Sequence, residues 1–410
     1  MRGKERMESV ALWSIALCQV LSLSALLLWN VVASYFDITH NLRSLTQQWI
    51  THRVIADTPL ILQIQSFQHR FLDALFSGLS GVVSVPFYTA FLPLLFWSGH
   101  CKLARQMTLL MAFCDYLGNS VKDVVSAPRP SSPPVRRLTA TKDEEENALE
   151  YGFPSSHALN TVCLAGYLLH YVLYSAENRG ATHALIGVTV ACLLVGLVSL
   201  GRIYLGMHSV VDVLGGLVFG LVILAFWLTV HEYMDRFIVS GHNVSPFWTA
   251  FSFLLLFAYP TPERPTPSFE YHTAFNGVIL GMVIGFQQAH HHFHRKAIRH
   301  ICSPQLSLPV FVGRILFGIP AIILVKFCSK ALAKWILPVL ANTLGIPIRS
   351  SSYIPQLNIS LSGENAESQK MFFSPQDSFD VDTGIRFLQY AILAWSIVDL
   401  VPPLFSLLRL

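Results

Sequence analysis

The stretch that decides the fold covers residues 182–233 and reads THALIGVTVACLLVGLVSLGRIYLGMHSVVDVLGGLVFGLVILAFWLTVHEY. Two apolar runs, 182–200 and 210–233, flank a segment with Arg202 and His208, and Asp212 follows at the start of the second run. Each run has about the 20 mostly apolar residues that a helix needs to cross a bilayer. Charged groups at the end of a membrane span are costly, so these three residues are expected to have a function.

The composition of the whole chain indicates a membrane protein. Of its 410 residues, 53% are hydrophobic and only 13% are charged, and the mean hydropathy is +0.50. These values are too apolar for a soluble globule and too poor in charge for a disordered chain. The net charge of +4 is modest and is not concentrated in one patch, so nucleic acid is not an expected partner.

Apolar runs of spanning length recur along the sequence. Ten candidates lie at residues 10–35, 71–97, 103–121, 157–174, 182–200, 210–233, 246–260, 272–288, 307–327 and 384–407, and a shorter run at 331–345 is doubtful. The runs are continuous and rich in leucine, whereas barrel strands alternate over about ten residues. The sequence therefore predicts an all-α, polytopic helical membrane protein with about 9–11 transmembrane helices. The first run is longer than the core of a cleavable signal peptide and is interpreted as a retained anchor.

Basic segments predict the orientation of these spans. They are the N-terminal MRGKER, the pair Lys102 and Arg105, and HHHFHRKAIRH at 290–300. Counting crossings places all three on one face, which the positive-inside tendency assigns to the cytosol together with the N-terminus. The loops 122–156 and 201–209 then reach the opposite, lumenal face, where their side chains could converge.

Several other features have structural interpretations. The acidic run 143–146 is expected to be a solvated face. The histidine-rich segment 290–300 is expected to touch anionic lipid and not to bind metal, since contiguous histidines rarely form a closed ligand set. The seven cysteines lie mostly in apolar runs and are expected to act as small hydrophobes without forming bridges. The Ser-rich loop 346–383 contains a glycosylation sequon at Asn358, which matters only if this loop is lumenal.

Two polar clusters precede the third one at 202–212. Lys122 and Arg129 follow the third span, and either residue alone could merely extend to the lipid headgroups. Ser155, Ser156 and His157 open the fourth span with a helix-start signature. The free backbone N–H groups and the dipole of a helix start favour an anion, so this second cluster is a candidate phosphate site.

The third cluster adds a pair that suits nucleophilic catalysis. If the sixth span starts near His208, Asp212 lies four residues on and faces the same side of the helix. A carboxylate bonded to one imidazole nitrogen fixes the tautomer and leaves the other nitrogen as a base or nucleophile, although an isolated pair could be structural. Arg202 adds a permanent positive charge. Together the clusters predict a site for a phosphate monoester, with His208 attacking phosphorus and His157 protonating the leaving alkoxide.

The spacing of these residues resembles the three-part signature of the type 2 phosphatidic acid phosphatase superfamily. The pattern is Lys122 with six residues before Arg129-Pro130, then Pro-Ser-x-His at 154–157, then Arg202 with five residues before His208 and three more before Asp212. The resemblance implies metal-independent, cofactor-free hydrolysis of a phosphomonoester through a phosphohistidine on a six-helix core. By this resemblance His208 is the nucleophile, Asp212 orients it, and His157 is the general acid and base.

The same resemblance assigns phosphate binding to Lys122, Arg129, Ser155, Ser156 and Arg202. Two positions depart from the family, which often has glycine at 156 and serine at 201. The implied domains are an anchor and interfacial segment at 1–70, a catalytic core at 71–235 completed by the span 10–35, and additional spans at 236–410.

Within the superfamily, RPSSPPV at 129–135, EYGFPSSHA at 150–158 and GRIYLGMHSVVD at 201–212 look most like the sphingosine-1-phosphate, or long-chain-base phosphate, phosphatases. These are endoplasmic-reticulum enzymes with extra C-terminal spans, so the resemblance implies that membrane and a phosphorylated sphingoid lipid as substrate. Two alternatives remain at this stage: a phosphatase for phosphatidate or glucose 6-phosphate, and a transporter. A transporter would place its polar groups near the bilayer midplane, in matched halves.

Overall fold

The computed structural model describes residues 2–139, 141–174, 181–260, 266–291, 302, 307–349 and 379–410. The helices in these segments are α1 Arg2–Tyr35, α2 Ile38–Ala56, α3 Thr58–Gln65, α4 Arg70–Ser80, α5 Val85–Trp97, α6 Cys101–Val125, α7 Lys142–Asn147, α8 Ser156–Tyr174, α9 Ala181–Tyr204, α10 Val210–Ser240, α11 Val244–Ala258, α12 Pro267–His291, α13 Leu308–Thr343, α14 Val381–Trp395 and α15 Val401–Leu407. A π-helical turn, Ser396–Leu400, joins the last two helices. Two short parallel strands, β1 Ile348–Arg349 and β2 Phe379–Asp380, pair at the base of α14.

The fold is that of a polytopic helical membrane protein, as predicted, but among the described residues fewer than the predicted 9–11 helices are long and apolar enough to span. In the described part of the chain, five segments are long and apolar enough to cross a bilayer: Trp13–Tyr35 of α1, α9, α10, α13 and Val381–Leu407. The pair α4 and α5, bent by 56°, forms a sixth if it is counted as one span. Helices α6, α8, α11 and α12 pack among these segments. Many large apolar side chains on the spans are exposed, which suits contact with lipid tails.

The structure settles the doubtful run at 331–345. It does not cross separately, because it continues the ninth candidate span as one helix, α13, of 36 residues. Pro320 and Pro338 both lie inside this helix. Prolines are tolerated within membrane helices because neighbouring groups satisfy the freed carbonyls. The sequon at Asn358 lies outside the described residues.

Close helix packing in the C-terminal half depends on glycine. Helices α12 and α14 share the most extensive helix contact of the described structure. At Gly277 and Gly281, a Cβ atom would collide with backbone atoms of Phe387 and Ala391. Small residues of this kind let two membrane helices approach to backbone contact.

The expectation about cysteines is wrong in one respect. Cys114 and Cys163 are buried and unbridged, as small hydrophobes are. Cys101, however, forms a disulfide with Cys302, 201 residues away in the sequence. The bridge joins the start of α6 to the segment after α12, at the end of the bundle that carries Lys102 and Arg105. No spacing motif marks this pair, since the chain folds back across the bundle to bring the two residues together.

Candidate active site

A cavity of about 180 Å³ lies at the end of the bundle where α6 and α9 finish and α8 and α10 begin. Six of the eight residues predicted for the site line it: Lys122, Arg129, Ser156, His157, Arg202 and His208. Asp212 and Ser155 lie behind its wall and are fully buried. Three segments far apart in the sequence therefore meet, as expected if their loops share one face of the membrane.

The turn between α9 and α10 positions Arg202 against His208. Helix α9 ends with Gly206 in the left-handed region, at φ 68°, and a Cβ there would collide with the carbonyl of Arg136. The amide of Met207 donates to the Arg202 carbonyl over 3.1 Å, and that of Gly206 donates to Ile203 over 3.0 Å. These two bonds form a Schellman motif, which reverses the chain directly after Arg202. His208 follows two residues after the glycine and lies in the same cavity.

His208 is a buried, neutral imidazole, 2% exposed. The Nη1 group of Arg129 donates a hydrogen bond of 2.9 Å to its Nε2 atom. Burial lowers the pKa of His208 well below its ordinary value, and the charges of Arg129 and Arg202 lower it further. Because Nε2 accepts a hydrogen bond, the hydrogen of the neutral ring is assigned to Nδ1.

Asp212 lies beside the other nitrogen of the same ring. Its Oδ2 is 3.7 Å from His208 Nδ1. This distance is too long for a hydrogen bond but short enough for the carboxylate to stabilise a positive charge on the ring. The same oxygen accepts a 2.8 Å bond from the amide of Ser209, whose hydroxyl accepts from the Asp212 amide over 3.3 Å. This reciprocal pair is a capping box at the start of α10. It fixes the carboxylate on the side of the ring remote from Arg129.

The start of α8 places two of its three predicted residues in the cavity. Ser156 and His157 line it. His157 Nε2 lies 3.2 Å from the Ser80 carbonyl, to which it donates. Ser155 is the residue before the helix, and its amide donates to the Asp212 carbonyl over 2.9 Å. That amide is therefore occupied in joining α8 to α10 and is not directed at a ligand.

Two of the predicted cations share one carboxylate. Lys122 Nζ lies 3.1 Å from Glu150 Oε2, and Arg129 Nη2 lies 3.7 Å from the same oxygen. The amide of Ser268, at the start of α12, donates to the other Glu150 oxygen over 2.8 Å, and its hydroxyl bonds there too. Glu150 therefore ties the C-terminal helices to two of the residues predicted to bind phosphate.

The third cation, Arg202, contacts Ser80 and Glu144. Its Nη1 donates to the Ser80 hydroxyl over 2.5 Å and lies 3.6 Å from Glu144 Oε1. Ser80 in turn donates to Glu144. The interpretation of 143–146 as a solvated acidic face is wrong for Glu144, because α7 folds back over the cavity. The three cations thus face two carboxylates, Glu144 and Glu150.

Gly201, a departure from the family pattern, has a packing explanation. A Cβ on Gly201 would lie 2.8 Å from Cδ1 of Phe76 on α4, tighter than normal carbon contacts. The glycine therefore lets α9 approach α4, whose last residue Ser80 binds Arg202.

Sequence reasoning missed the acidic and polar residues that complete this site. Glu144, Glu150 and Ser80 carried no usable signal, because their partners lie 28 to 122 residues away. Asp115 and Asn119, in contrast, did carry a usable sequence signal. They precede Lys122 by seven and three residues, a spacing that places polar groups on one face of an apolar helix. The histidine-rich segment, considered as a metal or lipid site, lies outside the described residues from 292 onward.

Comparison with known proteins agrees with this geometry. The family model of the PAP2 superfamily matches residues 103–236. Lipid phosphate phosphatase delta of Arabidopsis thaliana is 62% identical over 401 residues, 96% of each chain. A dihydrosphingosine 1-phosphate phosphatase of Schizosaccharomyces pombe is 29% identical over 74% of this chain and 73% of its own. Sphingosine-1-phosphate phosphatase 2 of Mus musculus is 31% identical over 55% and 59%.

No solved structure matches the chain significantly. The matched family segment begins within α6 and ends within α10, and it contains every residue that the sequence predicted for the site. With 62% identity over 96% of each chain, and with the family model matched across the whole site, this chain belongs to the PAP2 superfamily and is a phosphoric monoester hydrolase of the lipid phosphate phosphatase type.

Proposed function

We propose that this enzyme hydrolyses sphingoid long-chain-base 1-phosphates to the free base and phosphate through a phosphohistidine intermediate. The observation that supports it most is the single cavity shared by the two histidines His157 and His208 and the cations Lys122, Arg129 and Arg202. Three cations suit an anion of about two charges, and two histidines allow one to attack while the other transfers protons.

The first half-reaction uses the tautomer assigned to His208. Its Nε2 lone pair forms a bond to phosphorus as the bond from phosphorus to the alkoxide oxygen breaks. Arg129, which now donates to Nε2, transfers its hydrogen bonds to a phosphoryl oxygen. Asp212 stabilises the positive charge that the ring acquires. His157 enters the step as an imidazolium, keeps its Nε2–H on the Ser80 carbonyl, and donates its other ring proton to the leaving alkoxide.

The second half-reaction reverses these roles. Water attacks the phosphohistidine opposite His208, and His157 accepts its proton. The nitrogen–phosphorus bond breaks, and inorganic phosphate leaves with the neutral imidazole restored. The three cations stabilise the equatorial oxygens in both steps, so no metal ion has a role in this scheme.

The choice of substrate rests on the relatives and the flanking motifs. The relatives from Schizosaccharomyces pombe and Mus musculus carry the names of dihydrosphingosine and sphingosine 1-phosphate phosphatases, and they match 74% and 55% of this chain. A phosphatidate phosphatase is the second candidate, because the relative that is 62% identical is named only for lipid phosphate. The phosphate-binding cations do not distinguish the two.

We further propose that the enzyme resides in the endoplasmic reticulum membrane with the N-terminus in the cytosol and the cavity in the lumen. Support comes from the charges at the opposite end of the bundle, where Lys102 pairs with Glu232 over 2.8 Å and Arg105 with Asp235. Basic residues on α6 thus stay at one end while the cavity occupies the other.

Phosphate release by the purified full-length protein in detergent tests the function. The panel comprises a sphingoid base 1-phosphate, phosphatidate, lysophosphatidate and glucose 6-phosphate, each with and without EDTA. We expect EDTA-resistant hydrolysis with the highest kcat/KM for the sphingoid base phosphate. A higher kcat/KM for phosphatidate would replace the proposed substrate, and loss of activity with EDTA would overturn the metal-independent scheme.

Trapping tests the intermediate. Brief reaction with substrate labelled at phosphorus, followed by denaturation in base, should retain label on the wild-type protein as an acid-labile phosphoramidate. His208→Ala should retain none and should be inactive, whereas His157→Gln, which slows both half-reactions, should lose turnover but still take up label on His208 over longer reaction times. Label on His208→Ala would assign the nucleophile elsewhere.

A further inference from the structure

Beneath the phosphate-binding residues, the cavity wall carries polar atoms without partners. Asp115 and Asn119 of α6, Asn160 of α8 and Tyr88 of α5 all line it and are at most 7% exposed. Asp115 lies beside Asn119 and Tyr88 lies beside Asn160. Even so, Oδ2 of Asp115, Nδ2 of Asn119, Oδ1 of Asn160 and the Tyr88 hydroxyl make no hydrogen bond of normal geometry among the residues that the structure describes. Unpaired buried polar groups are costly, and an ionisable residue inside the membrane is expected to serve a function.

Helical spacing directs these groups toward the reacting phosphate. Asp115, Asn119 and Lys122 follow each other at i, i+4 and i+7, so they share one face of α6. On α8, His157 and Asn160 are three residues apart and share a face as well. One end of each face thus contacts the phosphate, and the other end reaches deeper into the membrane.

A second, larger cavity of about 640 Å³ adjoins this polar cluster. It lies between α5, α6, α12, α13 and α14, and it shares Val85, Pro86, Tyr88 and Phe275 with the site cavity. Its lining is mostly apolar, with side chains such as Leu92, Val278, Met282 and Ile322. Its volume falls in the range of about 300–1,000 Å³ that ligand sites occupy.

We propose that Asp115, with Asn119 and Asn160, binds the ammonium and hydroxyl groups of a single-chain amino-alcohol phosphate whose tail enters the adjoining apolar cavity. This inference rests on the proposed function and adds to it the residues that select the substrate. The carboxylate of Asp115 pairs with the ammonium group, and the two amides bond to the ammonium and the neighbouring hydroxyl. The C-terminal helices, which lie outside the matched family segment, form the wall for the tail.

The chemistry favours a cation with several donors. A carboxylate and an amide oxygen are acceptors, and an ammonium group offers three N–H donors. Substrates that carry an ester at this position offer no donor, so they would leave Asp115 unpaired in an apolar wall. A site built to bond a donor rejects an analogue that lacks it, because the buried acceptor is then unsatisfied.

A pair of substrates isolates this contact. The first is a sphingoid base 1-phosphate; the second has the same chain and hydroxyl but hydrogen in place of the amino group. For the wild-type protein in detergent we expect kcat/KM to be higher for the amine by roughly tenfold to a hundredfold, the size of a hydrogen bond to a charged group. In Asp115→Asn this ratio should fall to near one, because the amine loses its ionic partner and the desamino compound no longer leaves a carboxylate unpaired.

Controls separate recognition from folding. Tyr116→Phe alters the neighbouring residue, which bonds Leu255 on α11 and does not line the site cavity, so the ratio should stay at its wild-type value. Asn119→Leu should lower the ratio of the two kcat/KM values partway toward one. It replaces Asp115→Asn as the test variant if that protein does not fold.

Each outcome has one meaning. Equal kcat/KM for both compounds in the wild-type protein overturns the ammonium site while the phosphatase activity stands. An equal loss on both substrates in Asp115→Asn also overturns it, because the residue then acts on the phosphate site or the fold. Hydrolysis of neither compound, nor of any other lipid phosphate, would instead contradict the proposed function.

Discussion

Nε2 of His208 and Nη1 of Arg129 lie 2.9 Å apart, with the guanidinium donating to the imidazole. A permanent cation bonded to Nε2 keeps the ring neutral, because a proton there would meet like charge. In the proposed mechanism the same contact occupies the lone pair that must reach phosphorus. In that mechanism Arg129 holds His208 in the reactive protonation state until the substrate phosphate draws the guanidinium away.

Arg129→Gln should change the pH profile as well as the rate. Arg129 lowers the pKa of His208, so its removal raises that pKa. A protonated imidazole has no lone pair for attack, hence activity is lost as pH falls through this pKa. The acid limb of kcat/KM should therefore move to higher pH. Arg236→Gln, an exposed residue on α10, is the control and should leave the limb in place; an unmoved limb in Arg129→Gln would contradict the electrostatic role.

Asp212→Asn and Ser209→Ala separate catalysis from helix capping. Asp212→Asn removes the charge 3.7 Å from His208 but keeps an oxygen that can accept the Ser209 amide. Ser209→Ala removes the capping hydroxyl and keeps the charge. We expect Asp212→Asn to lower kcat by orders of magnitude, and Ser209→Ala to lower stability by about 1 kcal/mol with kcat nearly unchanged. Equal losses of kcat in both variants, measured beside thermal unfolding, would show that the carboxylate acts only as a cap.

Glu144→Gln should strengthen substrate binding. The Glu144 carboxylate lies 3.6 Å from Arg202 and competes with the phosphate for that cation. Partly exposed ion pairs are worth roughly 0.2–1 kcal/mol, so KM should fall by about 1.5- to fivefold. Glu145→Gln, which changes an exposed neighbour on α7, should leave KM unchanged. A higher KM in Glu144→Gln would mean that the carboxylate positions Arg202 for the substrate.

Gly201→Ser should destabilise the protein although serine is common at this position in the family. The new Cβ would lie 2.8 Å from the Phe76 ring. Overpacking of this kind costs about 1–3 kcal/mol. Thermal unfolding in detergent should show the loss, and Phe76→Leu in the same chain should recover most of it. Additive losses in the double variant would exclude the ring as the cause.

The disulfide tests the proposed orientation. With Cys101 and Cys302 bridged, a thiol reagent should label five cysteines of the denatured protein before reduction and all seven after it. Disulfides persist mainly in oxidising compartments, whereas the basic residues assign this end to the cytosol. In sealed microsomes an impermeant reductant added outside should therefore open the bridge. Protection until detergent is added would place the bridge in the lumen and reverse the orientation.

The local sequence pattern predicts the fold class of this protein and the face on which its polar segments lie. The length of the apolar runs predicts a helical membrane protein, because each membrane helix satisfies its backbone hydrogen bonds within itself. The parity of crossings brings the polar segments at 122–129, 155–157 and 202–212 to one face, and the structure places them around one cavity. Both inferences need only the order of residues along the chain.

Tertiary structure alone decided which groups touch these residues. Three contacts join elements that no sequence periodicity relates. Ser80 donates to Glu144, Glu150 pairs with Lys122 and Ser268, and Cys101 is bridged to Cys302. Helix packing determines them, and packing depends on close approaches such as Gly201 against Phe76. The sequence by itself determined the fold class and the polar residues that gather at the cavity. Folding determined the charges that surround them and the apolar cavity beside them, because contacts between distant segments arise only from the packed bundle.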